Sequence, residues 1–439
     1  MTDFLKNIIS LSVSAFSRPK VSAMLKLMFS AGFITLLVTI DLSAQTLPFC
    51  PGGYKYEKVI TINDNLVVGN NVDFPVLINI FYSPERDELR NVLSGGYVNN
   101  VSGYDIIFTD FDYNILEHDL DSYDPVKGNL VAWVKVPSLS KGTTTQIRML
   151  YGNPSITVSQ SSKTTWDSNF EGVWHLNADC LDATLNANNG NNVNTSPATG
   201  KISTGAYFNH QNDKIDVSSA SWSLDASTIE VWFNTAEIAG VGAHYIFGHG
   251  TTENTNLIEL YLEDNQTLVL GLGAQHVLYN LGTVNKGEWY HVVLKWTGNG
   301  TGSPSVDVLV NGDSKVETLT AFYDLNVTNQ TADIGNNVVS GNEGLIGFID
   351  EFRVSKVARS NDWIQTEYNN QSDPSFITIG NQFKFIESII SGNFVVSPGA
   401  KGEIYQLINP YVSGYIAYPT LILGGFGGVI QNYLKNRLG

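Results

Sequence analysis

Cysteine is almost missing from this chain: Cys50 and Cys180 are the only two in 439 residues. That excludes a disulfide framework and any cysteine-built zinc or redox centre, and it permits one bridge at most. A bridge needs a Cα separation that sequence does not supply, so the pairing stays open. Charge is also scarce, at 15% of residues, and basic charge is scarcer still: 25 Lys and Arg against 42 Asp and Glu give a net −17. Residues 1–44 hold four basic and two acidic groups, so the rest of the chain carries −19. A surface that acidic repels phosphate backbones, which excludes nucleic acid as a partner. Catalytic signatures are absent too. None of the seven histidines forms a His-Glu-x-x-His pair, and there is no Gly-x-Ser-x-Gly elbow and no phosphate loop.

What remains is apolar, aromatic and rich in turn formers. Hydrophobic residues make up 43%, with 20 Tyr, 21 Phe and 8 Trp, alongside abundant Gly, Asn, Ser and Thr. That composition favours strands and turns around sizeable cores.

The N-terminus reads as an export signal over residues 1–44. Lys6, Arg18, Lys20 and Lys26 precede the apolar run Leu27–Ile40, and the small residues Ser43-Ala44 follow, so the mature chain is expected to begin near Gln45. The apolar run is short for a membrane span of ~20 residues. Leu47-Pro48-Phe49 lacks the small residue that lipid attachment at Cys50 requires. At the other end, residues 382–439 form an unassigned tail, with 31 uncharged residues between Glu403 and Lys435. Such a stretch permits membrane association. Asn409-Pro410, Pro419 and the five glycines from Gly414 to Gly428 argue against a continuous helix there.

Between these ends the apolar pattern has period 2. Runs at Tyr56–Ile62, Phe74–Phe81, Asp105–Thr109, Leu130–Val136 and Thr144–Tyr151 predict an antiparallel β-sandwich over 50–155. A Ser/Thr-rich connector follows. Thr228–Phe233, Leu257–Leu262, Thr267–Leu272, Tyr290–Trp296 and Val306–Val310 then predict a second sandwich within 165–381. Asn311-Gly312 marks a hairpin, since both residues tolerate positive φ. One short helix is expected at Asn361–Asn369, with Ser360 as its cap.

Particular motifs carry a resemblance. Trp166–Asn177, Gly205–Asn209, Glu230-Val-Trp232, Trp289–Val293, Val310-Asn-Gly312 and Gly347–Val354 resemble the LamG-type concanavalin A-like modules of secreted bacterial proteins. Tyr54–Lys58, Asp73–Leu77, Gly103–Asp110, Ala132–Pro137 and Met149–Asn153 resemble a bacterial domain of unknown function that often precedes such a module. Together these imply an all-β chain: an N-terminal antiparallel β-sandwich followed by a concanavalin A-like jelly-roll sandwich.

The resemblance also motivates a metal site. Asp182 in an Asp/Asn/Gly-rich loop, Asp213 after the Gly205–Phe208 strand and Asp350 in the last long strand offer hard oxygens suited to Ca²⁺. The competing reading is local hydrogen bonding in turns and an ordinary ion pair among Asp350, Glu351 and Arg353. For ligand binding, Trp222 has polar company suited to stacking on a sugar ring, and His244 and His249 bracket a glycine-rich stretch suited to a groove. Trp174, Trp232, Trp289 and Trp296, with His175 and His291, read as strand or core residues. Glucanases of this broad fold carry Glu-x-Asp-x-x-Glu on one strand, and this chain has no such motif. Asp350 and Glu351 are adjacent, so regular strand geometry points them to opposite faces.

The expectation is therefore a non-catalytic, exported surface protein of bacterial type that binds carbohydrate or glycoprotein, in adhesion. The alternatives are a structural spacer of an envelope protein and an accessory module of a polysaccharide-degrading system.

Overall fold

A computed structural model describes residues 51–385, apart from 82–83, 178, 218–225, 237–241, 251–257, 264–265, 273–276, 298–304 and 317–330. It divides the chain into Pro51–Lys384 and a second unit made of Met1–Cys50 with Phe385–Gly439. In the second unit only backbone pairing is described: Ala23–Ser30 with Phe33–Ile40, and Phe394–Val395 with Val429–Ile430. Most of the tail, like Ser43-Ala44, Cys50 and Trp222, lies outside the described residues. Among those described, no helix is long and apolar enough to cross a membrane.

The unit Pro51–Lys384 holds two sandwiches. In the first, β1 (Tyr56–Ile62), β3 (Ile107–Thr109), β4 (Ile115–Leu116) and β7 (Thr145–Tyr151) share one sheet. The opposing sheet runs β2 (Asn70–Ile80), β6 (Leu130–Ser140), β5 (His118–Tyr123). Val76 and Ile78 on β2, with Val134 opposite Val76 on β6, share the core between the sheets with Ile60, Phe108 and Ile147, as the alternating pattern requires, while Trp133 points to the other face.

The second sandwich is larger. One sheet runs β10 (Ser196–Thr199), β11 (Thr204–Phe208), β22 (Gly347–Ser355), β13 (Ala226–Thr235), β18 (Trp289–Thr297), β19 (Ser305–Val310), β20 (Asp313–Val316), with β8 (Phe170–Trp174) also pairing β22. The other runs β9 (Asn191–Val193), β12 (Lys214–Asp216), β21 (Thr331–Ile334), β14 (His244–Gly250), β15 (Ile258–Glu263), β16 (Thr267–Leu272), β17 (Val277–Thr283). Trp174, Phe208, Phe233, Phe247, Trp296 and Phe352 meet in the core between them. Asn311 and Gly312 take φ of 54° and 79°, so the predicted hairpin joins β19 to β20.

The sandwiches are not consecutive beads. After β22, α1 (Asn361–Ser372) begins at Ser360, whose side chain accepts from the Trp363 N–H. The chain then returns to the first sandwich. β23 (Ile377–Ile379) and β24 (Phe383–Lys384) both pair with β1. The second sandwich is thus inserted into the first, and the expected boundary that gave 377–381 to the second module is corrected. Helix α1 covers the open edge of β2, where Asn370 accepts from Leu77 N–H at 2.7 Å and donates to Leu77 C=O at 3.1 Å. The outer face of the β22–β13–β18 sheet is buried as well: Val293 and Leu309 join the core of the first sandwich with Phe170, Val173 and Trp363. This is why β18 reads as a continuous apolar run instead of a clean alternation.

Candidate functional site

Two places gather polar side chains. The first lies at the junction of the sandwiches, where β5 meets β8 and β22. Here β22 is irregular: Glu230 pairs Arg353 while Trp232 pairs Asp350, so two residues of β22 oppose one of β13. The extra residue is Glu351, at φ 51°. Ile349 and Phe352, three apart, therefore both face the core, while Asp350, Glu351 and Arg353 turn to the junction. The expectation of opposite faces for Asp350 and Glu351 fails because of this bulge.

The junction is a chain of alternating charges. His175 Nδ1 lies 2.9 Å and 3.0 Å from the two Glu351 oxygens, and Nε2 lies 3.3 Å from Asp119 Oδ2. Trp166 Nε1–H also donates to Asp119 Oδ2, at 3.0 Å, and Asn177 Nδ2 donates to Asp121 Oδ1 at 2.6 Å. Arg353 bonds Glu351 at 2.7 Å and Glu367 of α1, and it lies 4.2 Å from the Trp133 ring centre. Burial alone would push the His175 imidazole down, but Glu351 and Asp121 outweigh it and hold the group well above its usual range. Burial, reinforced by Glu351, lifts Asp121 to about 6. Burial next to Glu367 raises Glu230 well above a normal carboxyl, and burial drops His291 to about 3.

Asp121, His175 and Glu351 are the described residues whose ligand atoms lie within 4.8 Å of one another. They do not suit a metal: both imidazole nitrogens face carboxylates as donors, and Arg353 already neutralises Glu351. The expected calcium ligands are not such a group either. Asp182 accepts from the N–H groups of Val173, Thr184 and Asn188 and from the Thr184 hydroxyl. Asp213 accepts from Asn209 and His210, and Asp350 from Ile202. Each carboxylate is committed to a different turn, which corrects the shared-site expectation. Likewise His244 and His249 are 6% and 1% exposed on β14, so they do not line an open groove.

The second place is open. A cleft of about 430 Å³ is lined by Asn194, Ser196, Tyr207, Asn209, His210 and Asn212, with Asp213 in its wall. Its volume falls within the ~300–1,000 Å³ of ordinary small-ligand sites. Tyr207 alternates outward between core-facing Ala206 and Phe208, and it stacks on Phe348 of β22 with ring centres 4.8 Å apart. Its hydroxyl donates to Asn209 Oδ1 at 3.1 Å. The 209–213 loop is held from beneath, since Asn336 Nδ2 donates to the carbonyls of Gln211 at 2.9 Å and Asp213 at 3.2 Å. Asp213 Oδ2 accepts from Asn209 N–H at 2.7 Å and His210 N–H at 2.9 Å. Its Oδ1 is buried without a hydrogen-bond partner. The loop backbone is fixed while the Asn209, His210 and Asn212 side chains stay exposed. Sequence reasoning placed Tyr207 in a strand motif and did not place it at this cleft; the available signal was an outward Tyr with only Phe208 between it and the polar run Asn209-His-Gln-Asn212.

Residues 209–365 match the family model of the concanavalin A-like lectin/glucanases superfamily, of Laminin G type. Residues 102–182 match a domain of unknown function, DUF2341. No curated protein matches the chain. Among solved structures, it is similar to domain 4 of AbnA, a GH43 extracellular arabinanase from Geobacillus stearothermophilus, in complex with arabinotriose, at 20% identity and TM-score 0.37, over 46% of this chain and 98% of that one. It is similar to the binding domain of Paraclostridial Mosquitocidal Protein 1 at 14% identity and TM-score 0.37, over 46% of this chain and about half, 52%, of that one. The sialidase CBM40 of Ruminococcus gnavus, bound to alpha2,3 sialyllactose, is similar at 15% identity and TM-score 0.29, over 33% of this chain and 83% of that one.

Proposed function

We propose that this is an exported surface protein whose lectin-like sandwich binds carbohydrate or glycoprotein at the Tyr207 cleft, in adhesion. The observation that carries the reading is the cleft's make-up: one aromatic ring among exposed amides and a hydroxyl, on a loop fixed from below. Sugars offer apolar ring faces and many hydroxyls, and a rigid site of that composition meets both without an ordering cost. The cleft lining includes one carboxylate, Asp213, whereas glycoside hydrolysis generally needs two at a fixed separation. The reading is therefore binding without hydrolysis.

A glycan array on residues 45–439 tests this, with Tyr207→Ala as its control. Binding to a defined glycan class that Tyr207→Ala abolishes while the melting temperature holds is the expected result. An array blank across all classes removes the reading. It would favour the spacer role, which draws support from the core shared by the two sandwiches.

A further inference from the structure

The aromatic surface of the cleft does not end at Tyr207. Strand register sets Ser196 opposite Tyr207, Tyr207 opposite Phe348, Phe348 opposite Asn234 and Asn234 opposite Trp289. These residues form one row across β10, β11, β22, β13 and β18. Their chain neighbours Ala206, Phe208, Phe233 and Ile349 face the core, so the row lies on the outer face of the sheet. Four strand spacings make it about 19 Å long.

Along this row the rings join into a pavement. The Phe348 ring centre lies 4.8 Å from that of Tyr207 and 6.4 Å from that of Trp289. Phe348 and Trp289 stand two strands apart, about 9.6 Å at the backbone. Their rings therefore lean together over Asn234, which is 7% exposed. Tyr207, Phe348 and Trp289 are themselves only half-buried. On β22, Phe348 is the one residue of nine that is not buried. Two residues back along β13 and β18 the same face is covered, because Tyr368 of α1 stacks on Trp232 and His291 with ring centres 5.8 and 6.0 Å away. The row of Asn234 and Trp289 is the first beyond that cover. A contiguous apolar strip rimmed by polar groups marks a binding surface. This one is longer than a single sugar ring, carries no ionised side chain, and runs into the polar loop of the cleft at Tyr207.

Resting on the glycan-binding reading, we infer that the site is an extended one: Phe348 and Trp289 continue the Tyr207 cleft across the sheet and take successive rings of a linear, uncharged oligosaccharide. Tyr207 and the exposed amides of the 209–212 loop hold one end of the chain. Beyond it, the sugars lay their apolar ring faces on Phe348 and Trp289 and keep their hydroxyls in water.

The test is calorimetry of residues 45–439 with cello-, xylo-, manno- and arabino-oligosaccharides of two to five units. In the series that binds, affinity is expected to rise at least ~10-fold from the disaccharide to the pentasaccharide, and Trp289→Ala to remove that rise while leaving the disaccharide unchanged. Hydroxyl-radical footprinting of the unsubstituted protein gives a readout that needs no variant: the pentasaccharide should shield Tyr207 and Trp289, the disaccharide Tyr207 alone. A disaccharide that binds as tightly as the pentasaccharide, or a Trp289 left unshielded by the bound pentasaccharide, would overturn the inference. So would a rise that persists in Trp289→Ala, or a Trp289→Ala that weakens both lengths alike, since Trp289 would then only support Tyr207. In each of these cases binding abolished by Tyr207→Ala leaves the glycan-binding reading standing. Binding in none of the series overturns the inference, and the glycan array then decides separately whether the reading survives.

Discussion

Asn370 closes both amide hydrogen bonds on the main chain of one residue, Leu77, 293 positions earlier. The side chain behaves as a one-residue strand beside the open edge of β2. Nearby, Thr366 accepts from Val68 N–H at 2.9 Å and Asn369 donates to Leu66 C=O at 2.8 Å. Because this helix follows the second sandwich and clasps the first, the two are expected to melt together. Calorimetry should give one transition for residues 51–384, and two separable transitions would contradict the shared core. Asn370→Ala leaves a buried N–H and C=O unmet, at about 1–3 kcal/mol each, and should lower the melting temperature by several degrees.

Removing Glu351 strands two cations. His175 and Arg353 both bond it inside the junction, and breaking a buried pair from one side costs about 3–5 kcal/mol. Glu351→Ala should therefore destabilise far more than substitution of an exposed acid such as Asp313. A loss below about 1 kcal/mol in chemical denaturation would show that the junction is not tightly packed around that carboxylate.

The junction also sets a pH dependence. His175 is raised in the folded state, so its stabilisation is present below the unfolded value near 6.5 and fades as pH climbs through the folded one. Asp121, lifted from 3.8 to about 6, prefers its proton when folded, so its effect also falls with rising pH across that window. Asp119 and Glu351 are lowered by His175 against the pull of burial, and they lose their contribution only on further acidification. Stability should fall with rising pH, first from about 3.8 to about 6 as Asp121 ionises and then above about 6.5 as His175 loses its proton. His175→Gln should flatten that decline; an unchanged slope would place the titration elsewhere.

Asp182 is committed to three backbone N–H groups and a hydroxyl. Asp182→Ala should lower the melting temperature equally with calcium and with chelator. A loss seen only with calcium present would restore Asp182 as a metal ligand.

Much of the fold was legible in one dimension. Period-2 runs located Tyr56–Ile62 and Thr267–Leu272 to the residue, Asn311-Gly312 announced its hairpin, and Ser360 announced the helix. These depend on near neighbours in the chain, where local sterics and burial periodicity dominate. Tertiary structure alone decided the rest. The return of Ile377–Ile379 to β1 leaves no local mark, because a strand's partner is chosen by long-range pairing. The bulge at Glu351 arises from accommodating β13 on one side while three charged side chains are sent to the junction, and it broke an inference that regular alternation made reasonable. Whether a given Asp binds a cation, a backbone turn or a ligand is likewise invisible in composition. It depends on which N–H groups lie within about 3 Å of each oxygen, and only folding brings Asn209 and His210 to one oxygen of Asp213 and leaves the other buried without a partner.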